Sequence, residues 1–235
     1  MKAIGIIGYG KSGKTTLVLK LSRELTKLGH EVAIIKHVPG DIDFPDSDTS
    51  KFRSCAPFVS AISPGESEII LKGKKHIGDI LKYSDSDLAV IEGFKKEKTY
   101  PKVVCVKDES DKDTLFDGLE IATAGFNKDI ADFDISDDED IKKLAQIVSK
   151  KSFKLPDLNC GHCGYETCYG LAKEIVRGNK TIDNCVSLNP SISISVDGMP
   201  FALNPFMSNL FKNGFLAMLS SLKGFKKGRV VIDIP

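Results

Sequence analysis

The sequence predicts an α/β protein with a mainly parallel sheet, followed by a small cysteine-rich domain and a ββαβ tail. Three observations support this prediction. Short apolar runs alternate with amphipathic helical stretches as far as residue 151, an order typical of doubly wound sheets. Four cysteines then fall within residues 160–185. After them, SISISV at 191–196 alternates strictly between polar and apolar residues, which is the period of a strand.

Apolar periodicity and the residues that end each run give the expected elements of the first domain. Strands are expected at 2–7, 31–36, 58–63, 67–72, 87–93, 102–108 and 119–125, and helices at 14–28, 76–84 and 136–150. Ser136 is expected to cap the last of these helices, because a serine hydroxyl accepts hydrogen bonds from free N–H groups at a helix start.

The tail has the signals of a hairpin followed by a helix. A hairpin over 191–204 turns at an Asp-Gly pair, and a last strand is expected at 229–234. Between them, Asn204 should cap a helix that has Pro205 in its first turn. The apolar residues of that helix are expected to form the core of the ββαβ unit: Phe206, Leu210, Phe211, Phe215, Leu219 and Leu222.

These patterns divide the chain into three expected domains. A nucleotide-binding domain should occupy residues 1–151, a metal-binding domain residues 152–187, and the tail residues 188–235. Residues 151–158 are expected to be a linker between domains that have separate cores.

Charge and composition exclude several classes of protein. The 33 Lys and Arg residues nearly balance the 32 Asp and Glu residues, so there is no electrostatic argument for a nucleic-acid partner. Neither a signal peptide nor a run of 18 apolar residues is visible, so we expect a cytoplasmic protein with no membrane contact. In that reducing compartment the six cysteines should be ligands or buried side chains rather than disulfides.

The stretch GYGKSGKTT at residues 8–16 follows the first predicted strand and opens the first predicted helix. It satisfies the pattern G-x-x-x-x-G-K-[ST], which predicts a P-loop NTPase-like sheet. In such loops, backbone N–H groups surround phosphate oxygens; here Lys14 should reach the β- and γ-phosphates and the Thr15 hydroxyl should bind Mg²⁺. The residues predicted to bind nucleotide are Gly8, Gly10, Lys11, Ser12, Gly13, Lys14, Thr15 and Thr16.

An acidic residue is expected beside this loop. Glu92 ends a buried strand that should neighbour the loop, so it is predicted, with Lys14, to take part in any hydrolysis. The loop at 36–57 carries further acids that could approach Mg²⁺: Asp41, Asp43, Asp46 and Asp48. The base is left open between GTP and ATP, because NKDI at 127–130 places Asp129 one residue too early for a guanine-reading N-K-x-D motif.

The cysteine segment has the spacing C-x2-C-x4-C-x16-C, formed by Cys160, Cys163, Cys168 and Cys185. Four thiolates suit a [4Fe-4S] cluster or a zinc ion. Zinc sites usually pair two C-x2-C units, whereas three clustered ligands and one remote ligand favour the cluster. His162 is expected to lie nearby without binding the metal. Cys105 and Cys55 are expected to be core and structural thiols, respectively.

Residues 1–150 resemble the molybdopterin-guanine dinucleotide biosynthesis adaptor (MobB) family. The resemblance rests on GYGKSGKTTL, IIKH, DSDTSKFRSCA and VIEGFKKEKTYPK. It implies a homodimeric GTP-binding protein, at most a slow GTPase, that assists the guanylyltransferase joining GMP to the molybdenum or tungsten pterin. LPDLNCGHCGYETC at 155–168 resembles the [4Fe-4S] domain of corrinoid iron–sulfur proteins.

Three functions remain open from the sequence. The first is a GTP-binding adaptor in molybdenum or tungsten cofactor biosynthesis that carries an iron–sulfur cluster and contacts a molybdopterin guanylyltransferase or a molybdenum or tungsten enzyme. The second is a nucleotide-dependent iron–sulfur electron donor or cluster carrier. The third is a zinc-binding interaction protein with a vestigial P-loop. The order of preference follows from the motifs and from the spacing of the cysteines.

Overall fold

The protein is described by a computed structural model that covers residues 1–40, 42, 47–73, 75–188, 192, 194–196, 199–201 and 203–225. The elements, in chain order, are β1 (Lys2–Gly8), α1 (Lys14–Lys27), β2 (Val32–Lys36), α2 (Asp48–Phe52), β3 (Phe58–Ile62), β4 (Ser67–Leu71), α3 (Ile77–Leu81), β5 (Leu88–Glu92), β6 (Lys102–Cys105), α4 (Ser110–Leu115), β7 (Glu120–Gly125), β8 (Phe133–Asp134), α5 (Asp138–Lys151), α6 (Cys168–Val176), a 3-10 turn (Ile182–Asn184), β9 (Ile194–Val196), β10 (Met199–Phe201) and α7 (Pro205–Ser220).

Six parallel strands form the main sheet in the order β2-β5-β1-β6-β7-β8, which confirms the predicted fold class. β1 lies between β5 and β6, with Ile6 opposite Glu92 and Gly8 opposite Cys105. Because the strands are parallel, the loop after β1 and the end of β5 meet at the carboxyl edge of the sheet. Ligands of open α/β sheets bind at that edge.

The core of the sheet explains why α1 forms where it does. Leu17, Leu21 and Leu25 recur at helical spacing and are fully buried against β1 and β5, in one cluster with residues of α5. Burial of each leucine contributes about 1.5–3 kcal/mol. Gly29, with φ of 92°, ends the helix in the left-handed conformation that glycine adopts without strain. The helix therefore fixes the position of the loop that precedes it.

The start of α5 differs from the prediction by one residue. Asp137, rather than Ser136, is the N-cap, and its carboxylate accepts a hydrogen bond from the Glu139 N–H at 2.9 Å. Ser136 is held one step earlier in a turn, because its own N–H donates to the Asp134 carboxylate. The prediction of Ser136 as the cap is thus wrong, although the acidic first turn is as expected.

Two predicted strands form a unit of their own. β3 and β4 pair antiparallel in a separate two-stranded sheet, instead of joining the main sheet. Val59 and Ile70 face each other on the buried side of this hairpin, while Phe58, Ile62 and Ile69 are exposed on the other side. The hairpin therefore presents an apolar face to solvent.

The cysteine segment shares a core with the sheet domain. Leu119, just before β7, lies in one buried cluster with Leu155, Cys168 and Leu171. The Leu155 N–H also donates to the Thr99 carbonyl at 2.8 Å. The expectation of separate cores is therefore wrong, because residues 152–155 are packed against the first domain instead of forming a free linker.

The tail begins as predicted. β9 and β10 form an antiparallel pair, and the Asn204 side chain accepts a hydrogen bond from the Met207 N–H at the start of α7. Phe206, Leu210 and Leu222 are exposed, so the expectation that the apolar residues of α7 form a core is wrong for these three. The strand predicted at 229–234 lies outside the described residues. In the part of the chain that the structure covers, no helix is long and apolar enough to cross a membrane.

Candidate functional site

The loop after β1 has the backbone geometry of a phosphate cradle. Gly13 caps α1 with φ of 87°, and no side chain caps the helix, so its first N–H groups point into the loop. A Cβ on Gly8 would lie 2.4 Å from the Ser12 Oγ and 2.7 Å from the Cys105 carbonyl oxygen, so that position requires glycine. The Ser12 hydroxyl is buried and has no hydrogen-bond partner among the described residues. An anion seated in this loop would supply an acceptor for these donors.

Lys14 lies over the same loop. Its ammonium group donates to the Tyr9 carbonyl at 2.6 Å, and the side chain is half-buried. An open groove of about 320 Å³ surrounds the loop, a volume at the lower end of the range for small-ligand sites. It is lined by Lys11, Ser12, Gly13, Lys14, Thr15, Thr16 and Phe126. Six of the eight residues predicted to bind nucleotide thus line one groove, and Gly8 and Gly10 shape the loop behind it.

The structure brings together the two residues predicted at the metal side of the site. The Thr15 Oγ1 lies 3.3 Å from both carboxylate oxygens of Glu92. Glu92 is buried at the end of β5, next to β1, as the strand order requires. Hydroxyl and carboxylate oxygens are the ligands that Mg²⁺ prefers, so this pair fits the ion. Of the predicted loop acids, Asp48 begins α2, and Asp41, Asp43 and Asp46 lie outside the described residues.

The residues after Glu92 fold back onto the loop. Gly93 has φ of 91°, and a Cβ there would lie 2.8 Å from the Cβ of His37. Phe94, also with positive φ, packs its ring 4.6 Å from that of His37. The Lys95 ammonium lies 3.7 Å from the centroid of the Tyr9 ring. Lys95 therefore contacts the phosphate loop, while Gly93 and Phe94 contact His37; the sequence showed these residues only as a family motif.

The four predicted metal ligands line one cavity. Cys160, Cys163, Cys168 and Cys185 border it together with apolar side chains that include Leu158 and Leu171. Cys168 and Cys185 are buried, and all four thiols are free of disulfides. Cys168 begins α6, and its N–H donates to the Asn159 side chain at 2.7 Å. The chain thus converges on this cavity from both ends of the segment.

The thiol groups surround this space without meeting at one point. Among the residues that the structure describes, no three His, Cys, Asp or Glu side chains are close enough together to hold a single metal ion. Gly161 and Gly164 adopt positive φ angles of 73° and 87°, which turn the backbone between the first three cysteines. The four thiols therefore line one small cavity of about 10 Å³.

Electrostatics differ among these cysteines. Although burial opposes it, hydrogen bonds from Ser187 and His162 hold the pKa of Cys160 below its ordinary value. Burial, reinforced by Cys168 and Cys163, raises the pKa of Cys185. His162 is exposed, and its Nδ1 lies 2.8 Å from the Cys160 carbonyl oxygen. His162 thus lies next to one of the predicted ligands, and its role as a non-ligand stays a prediction.

The two remaining cysteines have different environments. Cys105 is fully buried in β6, as expected for a core thiol, and burial raises its pKa to about 12. Cys55 is exposed, and its thiol donates to the Phe52 carbonyl at 3.2 Å. The expectation that the cysteines are ligands or buried side chains is wrong for Cys55, because the turn after α2 leaves it at the surface.

A buried charge cluster joins the sheet domain to the cysteine segment. Asp117 forms ion pairs of 2.5 Å with Lys98 and with the fully buried Lys102. Although burial opposes it, the hydrogen bonds from both ammonium groups hold the pKa of Asp117 below its ordinary value. The Tyr169 hydroxyl, one residue after Cys168, donates to the Asp117 carbonyl, and Lys98 lies 4.8 Å from its ring centroid. Sequence reasoning missed this cluster, since its members are separated along the chain.

The sheet order and the phosphate loop with its Thr15–Glu92 pair define a protein of the P-loop NTPase-like class. A segment with a four-cysteine cavity follows this domain. Residues 3–124 match the family model "Molybdopterin guanine dinucleotide synthesis protein B" (MobB), and residues 155–187 match the model "Putative Fe-S cluster". The chain belongs to the MobB family. It is a MobB-like adapter of molybdopterin guanine dinucleotide biosynthesis, with a region after the family domain that matches an iron–sulfur model.

Similar proteins agree with this membership. A "Putative molybdopterin-guanine dinucleotide biosynthesis adapter protein" of Methanocaldococcus jannaschii is 31% identical, over 100% of this chain and 98% of that protein. A "Probable molybdopterin-guanine dinucleotide biosynthesis adapter protein" of Bacillus subtilis is 25% identical over 48% of this chain and 69% of its own length. The crystal structure of Bacillus subtilis MobB has a TM-score of 0.52 at 19% identity, covering 63% of this chain and 98% of that one. That likeness concerns the fold alone.

Proposed function

We propose that the protein is a GTP-binding adapter in molybdopterin guanine dinucleotide biosynthesis that carries a [4Fe-4S] cluster. The observation that carries the proposal is that one chain contains both a phosphate loop and a four-cysteine cavity. The residues around the two sites are joined by direct contacts. Glycine geometry and the uncapped start of α1 support the nucleotide half. The shared cavity of Cys160, Cys163, Cys168 and Cys185 supports the cluster half.

At the nucleotide site, each residue has a separate task. Backbone N–H groups from Gly8 to Thr16 would bind phosphate oxygens, and Lys14 would leave the Tyr9 carbonyl to pair with the β- and γ-phosphates. Thr15 and Glu92 would hold Mg²⁺, which neutralises charge on the phosphates. Hydrolysis should be slow, at most that of a weak GTPase. GTP is preferred over ATP because the family's product contains a guanylyl group.

At the cysteine site, the choice lies between a cluster and one zinc ion. Zinc would need all four sulfurs within about 2.3 Å of a single point. Three clustered cysteines and one remote cysteine, in place of the two C-x2-C units usual for zinc, would suit the four ligands of a [4Fe-4S] cluster. A bound [4Fe-4S] cluster supplies one-electron redox chemistry. The buried Leu171 would shield one side of the cluster from water.

The proposed partners are a second copy of this chain and a molybdopterin guanylyltransferase. The exposed face of the β3–β4 hairpin, formed by Phe58, Ile62 and Ile69, supports association through apolar contact. The adapter role is tested by adding the anaerobic protein to a molybdopterin guanylyltransferase that is supplied with GTP and molybdopterin. Product formation should rise with the wild type and not with Lys14→Ala. Equal rates with and without the wild type would overturn the adapter role.

A second candidate, a nucleotide-dependent electron donor, is favoured by the contacts between the two sites. Lys95 contacts Tyr9 of the phosphate loop, and its carbonyl accepts a hydrogen bond from Lys102. Lys102 pairs with Asp117, whose carbonyl accepts from Tyr169 beside Cys168. A continuous set of contacts therefore joins the phosphate loop to the cluster domain.

If these contacts couple the sites, nucleotide should change the reduction potential of the cluster. Because coupling is reciprocal, a tenfold change in GTP affinity on reduction would appear as a shift of about 59 mV for a one-electron cluster. Anaerobic redox titration with and without GTP and Mg²⁺, repeated with ATP, measures the shift. Tyr169→Phe removes the hydrogen bond to Asp117, so the nucleotide-dependent shift in potential should be smaller in this variant. A shift of only a few millivolts in the wild type would leave the adapter function without a redox link.

A further inference from the structure

Phe126 is a large apolar side chain that borders the phosphate groove. It directly follows β7, and 58% of its surface is exposed. Because β7 is parallel to β1 and lies two places from it in the sheet, the end of β7 reaches the same edge as the phosphate loop. The phenyl ring lines the groove together with the loop residues from Lys11 to Thr16.

One edge of the ring is fixed against the loop. An ideal Cβ on Gly13 would lie 2.8 Å from the Phe126 Cε2, so the absence of a side chain at Gly13 makes room for the ring. The backbone before it is also constrained, since a Cβ on Gly125 would lie 2.8 Å from the Val106 carbonyl oxygen. Phe126 is thus held in position while most of its surface stays open to the groove, unlike Phe133, which packs against the core.

We propose that Phe126 is the stacking surface for the nucleobase of the bound nucleotide. The proposal deepens the proposed function and rests on nucleotide binding at the phosphate loop. The donors that suit a triphosphate come from the loop and from Lys14, and none of them suits a flat aromatic base. An exposed aromatic ring beside those donors supplies what they lack, because every base presents a π-face that stacks on an aromatic side chain.

The neighbours of Phe126 leave it as the main apolar contact in the groove. Lys128 is engaged by Asp140 at 2.9 Å and by Asp137 at 3.4 Å. The Asn127 Oδ1 accepts the Asp129 N–H at 2.9 Å and shapes the turn that follows. The remaining lining residues, from Lys11 to Thr16, are polar or glycine. Stacking on Phe126 accepts either purine, so it adds affinity for a nucleoside triphosphate without selecting GTP over ATP.

Calorimetry of the full chain with GTP, ATP and inorganic tripolyphosphate separates contacts to the base from contacts to phosphate. Phe126→Ala should weaken binding of both nucleotides about tenfold or more, on the scale of measured base–aromatic stacking, and leave tripolyphosphate unchanged. Phe126→Tyr keeps a ring and should restore nucleotide affinity. Phe116→Ala is the matched control. Phe116 is also exposed but does not line the groove, so its removal should leave the affinities for GTP, ATP and tripolyphosphate unchanged.

A fluorescence measurement provides an independent readout. The chain contains no tryptophan, so Phe126→Trp introduces a single reporter at the proposed stacking surface. GTP and ATP should quench its emission, while tripolyphosphate should not. Phe116→Trp should report no change with any of the three.

The outcomes separate this proposal from the function on which it rests. If the wild type binds GTP and Lys14→Ala does not, but Phe126→Ala binds GTP like the wild type, the stacking role is overturned and nucleotide binding stands. If Phe126→Ala weakens tripolyphosphate as much as GTP, the residue supports the loop rather than the base, and the proposal is again overturned. If the wild type binds neither GTP nor tripolyphosphate, both proposals are overturned.

Discussion

Anaerobically purified protein is expected to be brown and to contain about four irons and four sulfides per chain. The reason is that four thiols from a single chain line one cavity, so no second subunit is needed to complete the ligand set. A broad absorption band near ~400 nm should bleach on reduction. Iron, sulfide and zinc analysis of the same sample measures the result.

Cys168→Ser should remove this cluster. Cys168 begins α6 and is buried beside Cys185, so a serine at this position replaces a thiolate ligand with a hydroxyl group that binds iron weakly. Cys55→Ser is the matched control, because that thiol is exposed, lies outside the cavity and should leave iron content unchanged. One tightly bound zinc and no iron in the wild type would contradict the prediction and favour the zinc-binding alternative.

The shared core changes what else this variant should do. Because Cys168 packs with Leu119 of the sheet domain, loss of the cluster should loosen that contact and lower the Tm of the whole chain. Leu17, Leu21 and the rest of the central sheet belong to a different buried cluster. GTP affinity of Cys168→Ser should therefore stay close to that of the wild type. A strong loss of GTP affinity would show that the two sites depend on each other structurally.

The sequence carried the phosphate loop and the cysteine ligands because both are local patterns. The spacing from Gly8 to Thr15 alone requires a strand, a tight loop and a helix start, and the structure has all three. The parallel direction of the strands could be predicted as well. A helix between two strands returns the chain to the edge where the first strand began, so the next strand runs in the same direction. Glu92 could be placed beside Thr15 for the same reason, as the end of a neighbouring strand.

Features that depend on distant partners were not predictable in this way. The periodicity of β3 and β4 predicted two strands but contained no information on whether they pair with the main sheet or with each other. No sequence pattern pairs Asp117 with Lys102, and only the fold buries Lys102 beside its partner. Phe126 lies 113 residues after Gly13, so its place in the groove follows from the strand order and not from any motif.

Lys14→Ala is expected to weaken GTP binding by about 100-fold or more, which corresponds to about 2.7 kcal/mol. The lysine places its ammonium group over the phosphate loop, and its hydrogen bond to a phosphate oxygen would be charged at both ends. In the described structure the ammonium group contacts only the Tyr9 carbonyl of the same loop, so its removal should not disturb the core.

Lys20→Ala is the matched control for net charge. Lys20 lies on the same helix but pairs with Asp138 at 2.8 Å, away from the groove. Calorimetry with GTP and Mg²⁺ should show near-wild-type affinity for Lys20→Ala and almost no heat for Lys14→Ala at the same concentrations. If both variants bound GTP like the wild type, the groove at Lys14 would not be the nucleotide site, and the stacking role of Phe126 would fail with it. If both lost affinity equally, the effect of Lys14 would reflect long-range charge, which is screened within about 10 Å at 0.1 M salt, rather than a direct contact with phosphate.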